Sequence, residues 1–274
     1  MHDAPLPAFP HWQALTSREL AHLEHDAVAV MVLGAIEQHG PHLPLSTDLD
    51  IGTGLLAAAL TQLPDDFPLV QLPPLAVGAS DEHLSFPGTL SLSPSLAAAV
   101  LEAHGDAVAR AGLSRLVLLN SHGGNKAMME SAALALRRRH GLLVVKLHYM
   151  RLALPDDLPG EGLPPEELRH GLHGGALETA LMRHLAPEKV RLAHLGHPIS
   201  RGQAMAEEHQ LLGPEGEAAF AWLAEDLHPE GVVGNARLGS AELGERLVDH
   251  YAERISRVLR EARAMRLERI SGGP

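Results

Sequence analysis

The chain has 274 residues, 45% hydrophobic and 20% charged, an ordinary globular composition with room for one large α/β domain or two small ones. A net charge of -12 argues against a nucleic-acid partner and an anionic membrane surface, which both require clustered Lys and Arg. The absence of cysteine removes disulfides, thiolate metal sites and cysteine nucleophiles together.

Met1 to Pro10 has no basic stretch leading into an apolar core, so it does not read as a signal peptide. No apolar run approaches the ~20 residues of a membrane span. A cytoplasmic protein is expected. Ala27 to Leu33 is a continuous apolar run, the mark of a strand covered on both faces. A polar, proline-interrupted loop follows to Thr47. Asp48 to Leu63 reads as a helix, with Pro64 beyond its end. Leu69 to Leu72 is a short strand, and Val77 to Ser93 a long loop. Pro94 to Ala111 has helical spacing, with proline in the first turn and Gly112 past the end. Arg115 to Leu119 is the next buried strand, Asn120 to Asn125 a turn, Lys126 to His140 a helix and Leu142 to Leu147 a strand. Pro155 to Pro165 reads as a lid or an oligomer contact. Gly174 to His184 is helical, and Ala241 to Arg269 is a long polar helix with one apolar face. Ser271 to Pro274 is expected to fray. Alternation of strands and helices predicts an α/β fold with a largely parallel sheet covered on both faces, and no composition shift divides residues 1–274 into two domains.

Three polar clusters lie where apolar segments end, and open α/β sheets bind ligands at the carboxyl ends of their strands. The first is Glu37-Gln38-His39-Gly40-Pro41-His42, followed by Asp48. Glu37 and His39 are two apart in a segment that proline keeps extended, so they share a face and suit a metal ion. Asp48 alone reads as a helix N-cap; with the other two it reads as a second carboxylate ligand able to bridge two ions. The second cluster is Asn120-Ser121-His122-Gly123-Gly124-Asn125. Its glycines let backbone approach a ligand, although an ordinary turn capped by Asn125 fits equally. The third is His170-Gly171-Leu172-His173-Gly174-Gly175 with Glu178 in the first turns of a helix. Ser80-Asp81-Glu82-His83, leading into Phe86-Pro87-Gly88-Thr89, is expected to shape the pocket wall.

Together these residues resemble the creatininase (creatinine amidohydrolase) family. The resemblance rests on Gly34-Ala35-Ile36-Glu37-Gln38-His39-Gly40-Pro41-His42-Leu43-Pro44 with Asp48. It extends to Asn120 to Asn125, with Ser121 in second place, and to His173-Gly174-Gly175-Ala176-Leu177-Glu178-Thr179, and runs over roughly residues 15 to 260. Ser80 to Leu90 and Gly231 to Gly244 also look like family features. The resemblance implies a three-layer α/β/α sandwich with a mostly parallel central sheet, one or two divalent ions (Zn, Mn or Fe) per subunit, and a homo-oligomer, often a hexamer. It implies that Glu37, Asp48 and His122 bind one ion and that His39 and Asp48 bind the second. In creatininase itself a glutamate two residues after the His of the second motif completes the second ion's shell. Here that position is Gly124, so the resemblance carries the hydrolase site but not creatinine as substrate. Glu178 is the candidate replacement ligand. The Trp-Asp pair before the catalytic His of creatininase corresponds to Arg169 and His170, which points to a different pocket.

The reaction expected is hydrolysis of an amide or cyclic amide by a metal-activated water, with His173 as general acid/base and Glu178 orienting it or completing the metal shell. His83, Gly123, Gly124, Asn125 and His170 are the candidates for binding a small-molecule substrate. A deformylase, lactone hydrolase or peptidase of the same family, a non-catalytic metal-binding relative, and a phosphate-binding protein using the His-Gly-Gly turns are the competing readings.

Overall fold

The computed structural model describes residues 8–158 and 163–267. The expectations for residues 1–7, for part of the 155–165 loop and for the fraying of 271–274 lie outside the described residues.

A one-turn helix α1 (Ser17–Leu20), closed by a Thr16/Glu19 capping box, precedes β1 (Val28–Leu33), whose six residues are all buried. The next elements are α2 (Thr47–Leu60), β2 (Leu69–Gln71), α3 (Pro94–Arg110), β3 (Arg115–Asn120), α4 (Lys126–His140) and β4 (Leu143–His148). Gly112 (φ +83°) and Gly141 (φ +69°) turn the chain after α3 and α4 in the left-handed region that an L side chain resists.

The four strands form one parallel sheet in the order β2-β1-β3-β4. Parallel strands need crossovers, and the order shows where these change direction: β1 leads to β2 on one side, while β3 lies on its other side. The crevice between the carboxyl ends of β1 and β3 is therefore the switch point. Leu33, Asn120 and His148 stand level in register, so the loops after β1, β3 and β4 open on one edge.

The central strands β1 and β3 alternate between two cores, which is why they read as apolar runs. Val28, Val30, Val32, Val117 and Leu119 pack toward α2, α6 (Ala176–Leu185) and α9 (Ala241–Ala264). Ala29, Met31, Leu33, Leu116 and Leu118 pack toward α3 and α4. The result is a three-layer α/β/α sandwich. On α9, Leu247, Tyr251, Ile255 and Leu259 recur every four residues along the buried face. Among the described residues no helix is long and apolar enough to cross a membrane.

The structure corrects several boundaries. The second helix ends at Leu60 and leaves Leu63 in a turn; α9 ends at Ala264, where Met265 turns extended (ψ 125°). The sixth helix begins at Ala176 because Gly174 has φ +68° and Gly175 is extended. Three helices were not anticipated beside the site: α5 (Pro165–His170), α7 (Arg201–Glu208) and α8 (Ala224–Leu227), together with a short strand pair, β5 (Leu212–Gly213) and β6 (Ala218–Ala219).

A glycine sets the seating of α9 on α6. A Cβ on Gly244 would stand 2.0 Å from the Ala180 carbonyl oxygen, which is backbone and cannot swing away. Gly244→Ala adds helix propensity worth about 1 kcal/mol. The overlap should outweigh it, lowering unfolding stability by a net ~1–3 kcal/mol in urea denaturation. An equally or more stable variant would contradict this helix seating.

Candidate metal centre

The first motif leaves β1 at Gly34, where a Cβ would lie 2.8 Å from Leu49 Cα, so the loop passes tightly under the start of α2. Glu37 N–H donates to Leu45 O (3.0 Å), and Leu90 N–H donates to Ile36 O (2.8 Å), which fixes the loop from both sides. Glu37, His39 and Asp48 end up 1%, 1% and 2% exposed.

The hydrogen bonds set the histidine tautomers. His39 Nδ1 donates to Glu37 O (3.1 Å), since a carbonyl only accepts, and this leaves the Nε2 lone pair free. That Nε2 faces Asp48 Oδ2 at 3.7 Å and Glu37 Oε1 and Glu178 Oε2 at 4.0 Å each. His173 Nε2 donates to Gln38 O (2.8 Å), so its Nδ1 carries the lone pair, 3.8 Å from Glu37 Oε1. Gln38 Nε2 donates to His83 Nδ1 (2.9 Å), which turns His83 Nε2 toward Glu37 Oε1 at 3.5 Å. His122 Nε2 donates to Ala79 O (2.8 Å) and lies 3.2 Å from Glu37 Oε2 without alignment for a hydrogen bond; its Nδ1 is 3.7 Å from Asp48 Oδ2. Glu178 Oε2 accepts from Gly174 N–H (2.6 Å).

Asp48 is not the N-cap of α2. Ser46 holds that position, and Asp48 turns its carboxylate inward from the first helical turn. Its Oδ2, both Glu37 carboxylate oxygens and His39 Nε2 are buried with no hydrogen-bond partner. Buried polar atoms are nearly always satisfied. Here the unsatisfied ones converge within Glu37/Asp48/His122, His39/Asp48/Glu178 and Glu37/His39/His173, each a set of ligand atoms within 4.8 Å of one another. Asp48 belongs to the first two sets. Mixed carboxylate and imidazole donors suit Zn, Mn or Fe, so the residues present fit a divalent ion.

The electrostatics are those of a site suited to a cation. Burial pushes the Asp48 carboxyl well above the usual carboxylate range, and the neighbouring Glu37 charge adds to this. Burial opposes ionisation of Glu37 too, yet His122, His173 and His39 hold it well below that range. Burial lowers His122, but Glu37, Asp48 and Glu82 outweigh it and raise its pKa to about 10. His83 falls to about 3, chiefly through burial.

A cavity of about 530 Å³ opens over this cluster. Its lining includes His83, Gly123, Gly124, His173 and Glu178. Asn125 and His170 do not line it. Asn125 is fully buried behind the floor: it accepts from Ala79 N–H (3.0 Å) and donates to Gly34 O (3.0 Å) and Asn120 Oδ1 (3.1 Å), so it ties three loops together and does not cap α4. His170 lines a neighbouring cavity of about 240 Å³ with Arg169 and Glu217. It is set aside there because α5 ends at His170 and Gly171 separates it from the segment carrying His173.

Glu82 lines the cavity as expected of the Ser80 to His83 stretch, whereas sequence reading missed Lys126, His148, Met150, Arg151, Glu215 and Trp222 as lining residues. His148 closes β4, so the rule that sites form at strand ends could have found it had the strand been extended by one residue. Glu82 is tied to Gly124: a Cβ on Gly124 would meet Ala79 O at 2.2 Å, Glu82 Oε1 at 2.5 Å and His122 Nε2 at 2.6 Å. The Glu82 carboxylate thus takes the space into which a side chain at 124 would project. It stands 3.6 Å from His122 Nε2.

Below pH ~10 an ion that takes His122 as a ligand must displace its proton. Metal uptake at pH 7 to 8 should release at least one proton per ion taken up at His122. Apparent affinity should fall about tenfold for each pH unit of acidification. Calorimetry in buffers of different ionisation enthalpy reads this directly, and proton-neutral, pH-independent binding would contradict it.

The comparisons with known proteins agree with this geometry. A family model described as Creatininase: Creatinine amidohydrolase matches residues 13–259. The chain is 32% identical over 250 residues to the mycofactocin precursor peptide peptidase of Mycolicibacterium smegmatis, covering 88% of this chain and 89% of that protein. It is 28% identical over 251 residues to the creatinine amidohydrolase of Pseudomonas putida, covering 86% and 90%. Among solved structures, one titled Creatininase Mn aligns with a TM-score of 0.74 at 25% identity, covering 92% of this chain and 97% of that one. A mutant creatininase of the Zn-Zn type aligns with a TM-score of 0.73 at the same identity and coverage.

Proposed function

The chain belongs to the creatininase family of hydrolases, and on that premise we propose that it cleaves an amide C–N bond in a peptide-sized substrate rather than in creatinine. The observation that carries this is the convergence of unpaired buried donors from Glu37, His39 and Asp48 beneath one open cavity. Glu37, Asp48 and His122 would hold one ion, and His39, Asp48 and Glu178 a second, with Asp48 shared. Bound there, a divalent ion supplies Lewis acidity, polarising a carbonyl and making water a better nucleophile near neutral pH.

The protein's own groups supply the rest. Gln38 O fixes the His173 ring through Nε2–H and leaves Nδ1 to take a proton and deliver it to the leaving nitrogen. Gly174 N–H fixes the Glu178 carboxylate, and Gln38 holds the His83 ring against Glu37. Trp222, Met150 and Leu172 give the cavity apolar surface for a substrate side chain. Three observations support the substrate class. The 530 Å³ cavity falls in the range that holds drug-sized ligands. Gly124 and Glu82 alter the carboxylate arrangement on the His122 side. The mycofactocin relatives are named as peptide peptidases.

Two variants separate the metal from the proton carrier. Asp48→Ala should lose both stoichiometric metal and turnover of a blocked-peptide library. His173→Ala should keep its metal and lose turnover by about 10²–10⁴-fold. Metal content by elemental analysis and turnover by mass spectrometry check both. Full activity in metal-depleted Asp48→Ala would reject the proposal.

A further inference from the structure

The cavity is electrically two-sided. Its acidic wall comes from the loops after β1 and from Glu82, Glu178 and Glu215. A basic part of the lining comes from the start of α4 and the end of β4, and presents Lys126, His148 and Arg151. In a chain of net charge -12, cations are readily paired, as Lys146 is with Glu130 next door. Yet neither the Lys126 nor the Arg151 side chain has a hydrogen bond or ion pair among the described residues. His148 lies between the strand end and the cavity and is only 6% exposed. Asn120 Nδ2 donates to its Nδ1 (3.0 Å), so the neutral ring carries its proton on Nε2, as a donor with no protein acceptor among the described residues. Lys126 is also the first residue of the 15-residue helix α4, whose amino end favours negative charge. Burial and these two cations lower the His148 pKa, which keeps the ring neutral.

We propose that Lys126, Arg151 and His148 Nε2–H form a subsite for a carboxylate on the substrate, in the same cavity as the Glu37/Asp48 cluster. The substrate is then an acylated amino acid or peptide with a free carboxylate, held between a metal-facing amide and a cationic anchor. A monoanion matches this wall. A phosphate would bring further negative charge against Glu82 and Glu215. The catalytic use of the anchor rests on the amide-hydrolase reading; the binding itself does not.

The test is calorimetry on metal-loaded protein with three probes: N-acetylalanine, its neutral amide twin and inorganic phosphate. Wild type should bind N-acetylalanine at least about tenfold more tightly than the amide, the strength of a charge-assisted contact. The double variant Lys126→Met/Arg151→Met should lose that preference at unchanged metal content, and Arg151→Lys alone should keep most of it. Equal binding of the two twins by wild type overturns the subsite. So does a preference that survives in the double variant, since the ions would then hold the carboxylate. Phosphate binding more tightly than N-acetylalanine overturns it as well. Turnover of blocked peptides is scored separately, so a protein that binds the carboxylate but cleaves nothing refutes the amide reading and leaves the anchor standing.

Discussion

Two carboxylates and two imidazoles cannot be buried beside one another without a cation, a proton or a hydrogen bond to offset the desolvation of each. In this protein the hydrogen bonds go elsewhere. Backbone carbonyls take one ring proton from each of His39, His122 and His173, and nothing takes the lone pair left on His39 Nε2. Glu37 and Asp48 are left with unpaired oxygens at less than 3% exposure. The fold can sustain this only because other contacts fix the loops: Asn125 ties the Gly34, Ala79 and Asn120 backbones together, and the α2 helix is seated closely on the sheet. Loops tied together at the β1/β3 switch point thus hold a set of candidate ligands side by side.

The same framework fixes which side chains reach the cavity beside His122. A side chain at 124 is excluded by Ala79 O, His122 and Glu82, so the carboxylate on that side of His122 arrives from another loop. The lining from β4 and the amino end of α4 contributes nothing to the candidate ligand sets.

Much of the fold was legible because parallel strands buried on both faces leave an unambiguous record: Val28 to Leu33 and Arg115 to Asn120 are runs with no polar interruption until they end. The ligand cluster was legible because Glu37, His39, Asp48 and His122 are local to strand ends. What the sequence concealed was distance. Lys126, Arg151 and Glu215 are ordinary surface residue types, and only folding brings them to one cavity. Asn125 looked like a ligand contact because it follows two glycines, yet its amide faces backbone. The α5, α7 and α8 helices escaped because each has eight residues or fewer, too short to show a helical period.

The central claim is that Asp48 is shared between two ions, one on the Glu37/His122 side and one on the His39/Glu178 side. Anomalous scattering from crystals grown with manganese tests it most directly. Two peaks are expected, each within about 2.0–2.5 Å of an Asp48 carboxylate oxygen. A single peak, or peaks that Asp48 does not touch, would contradict the account.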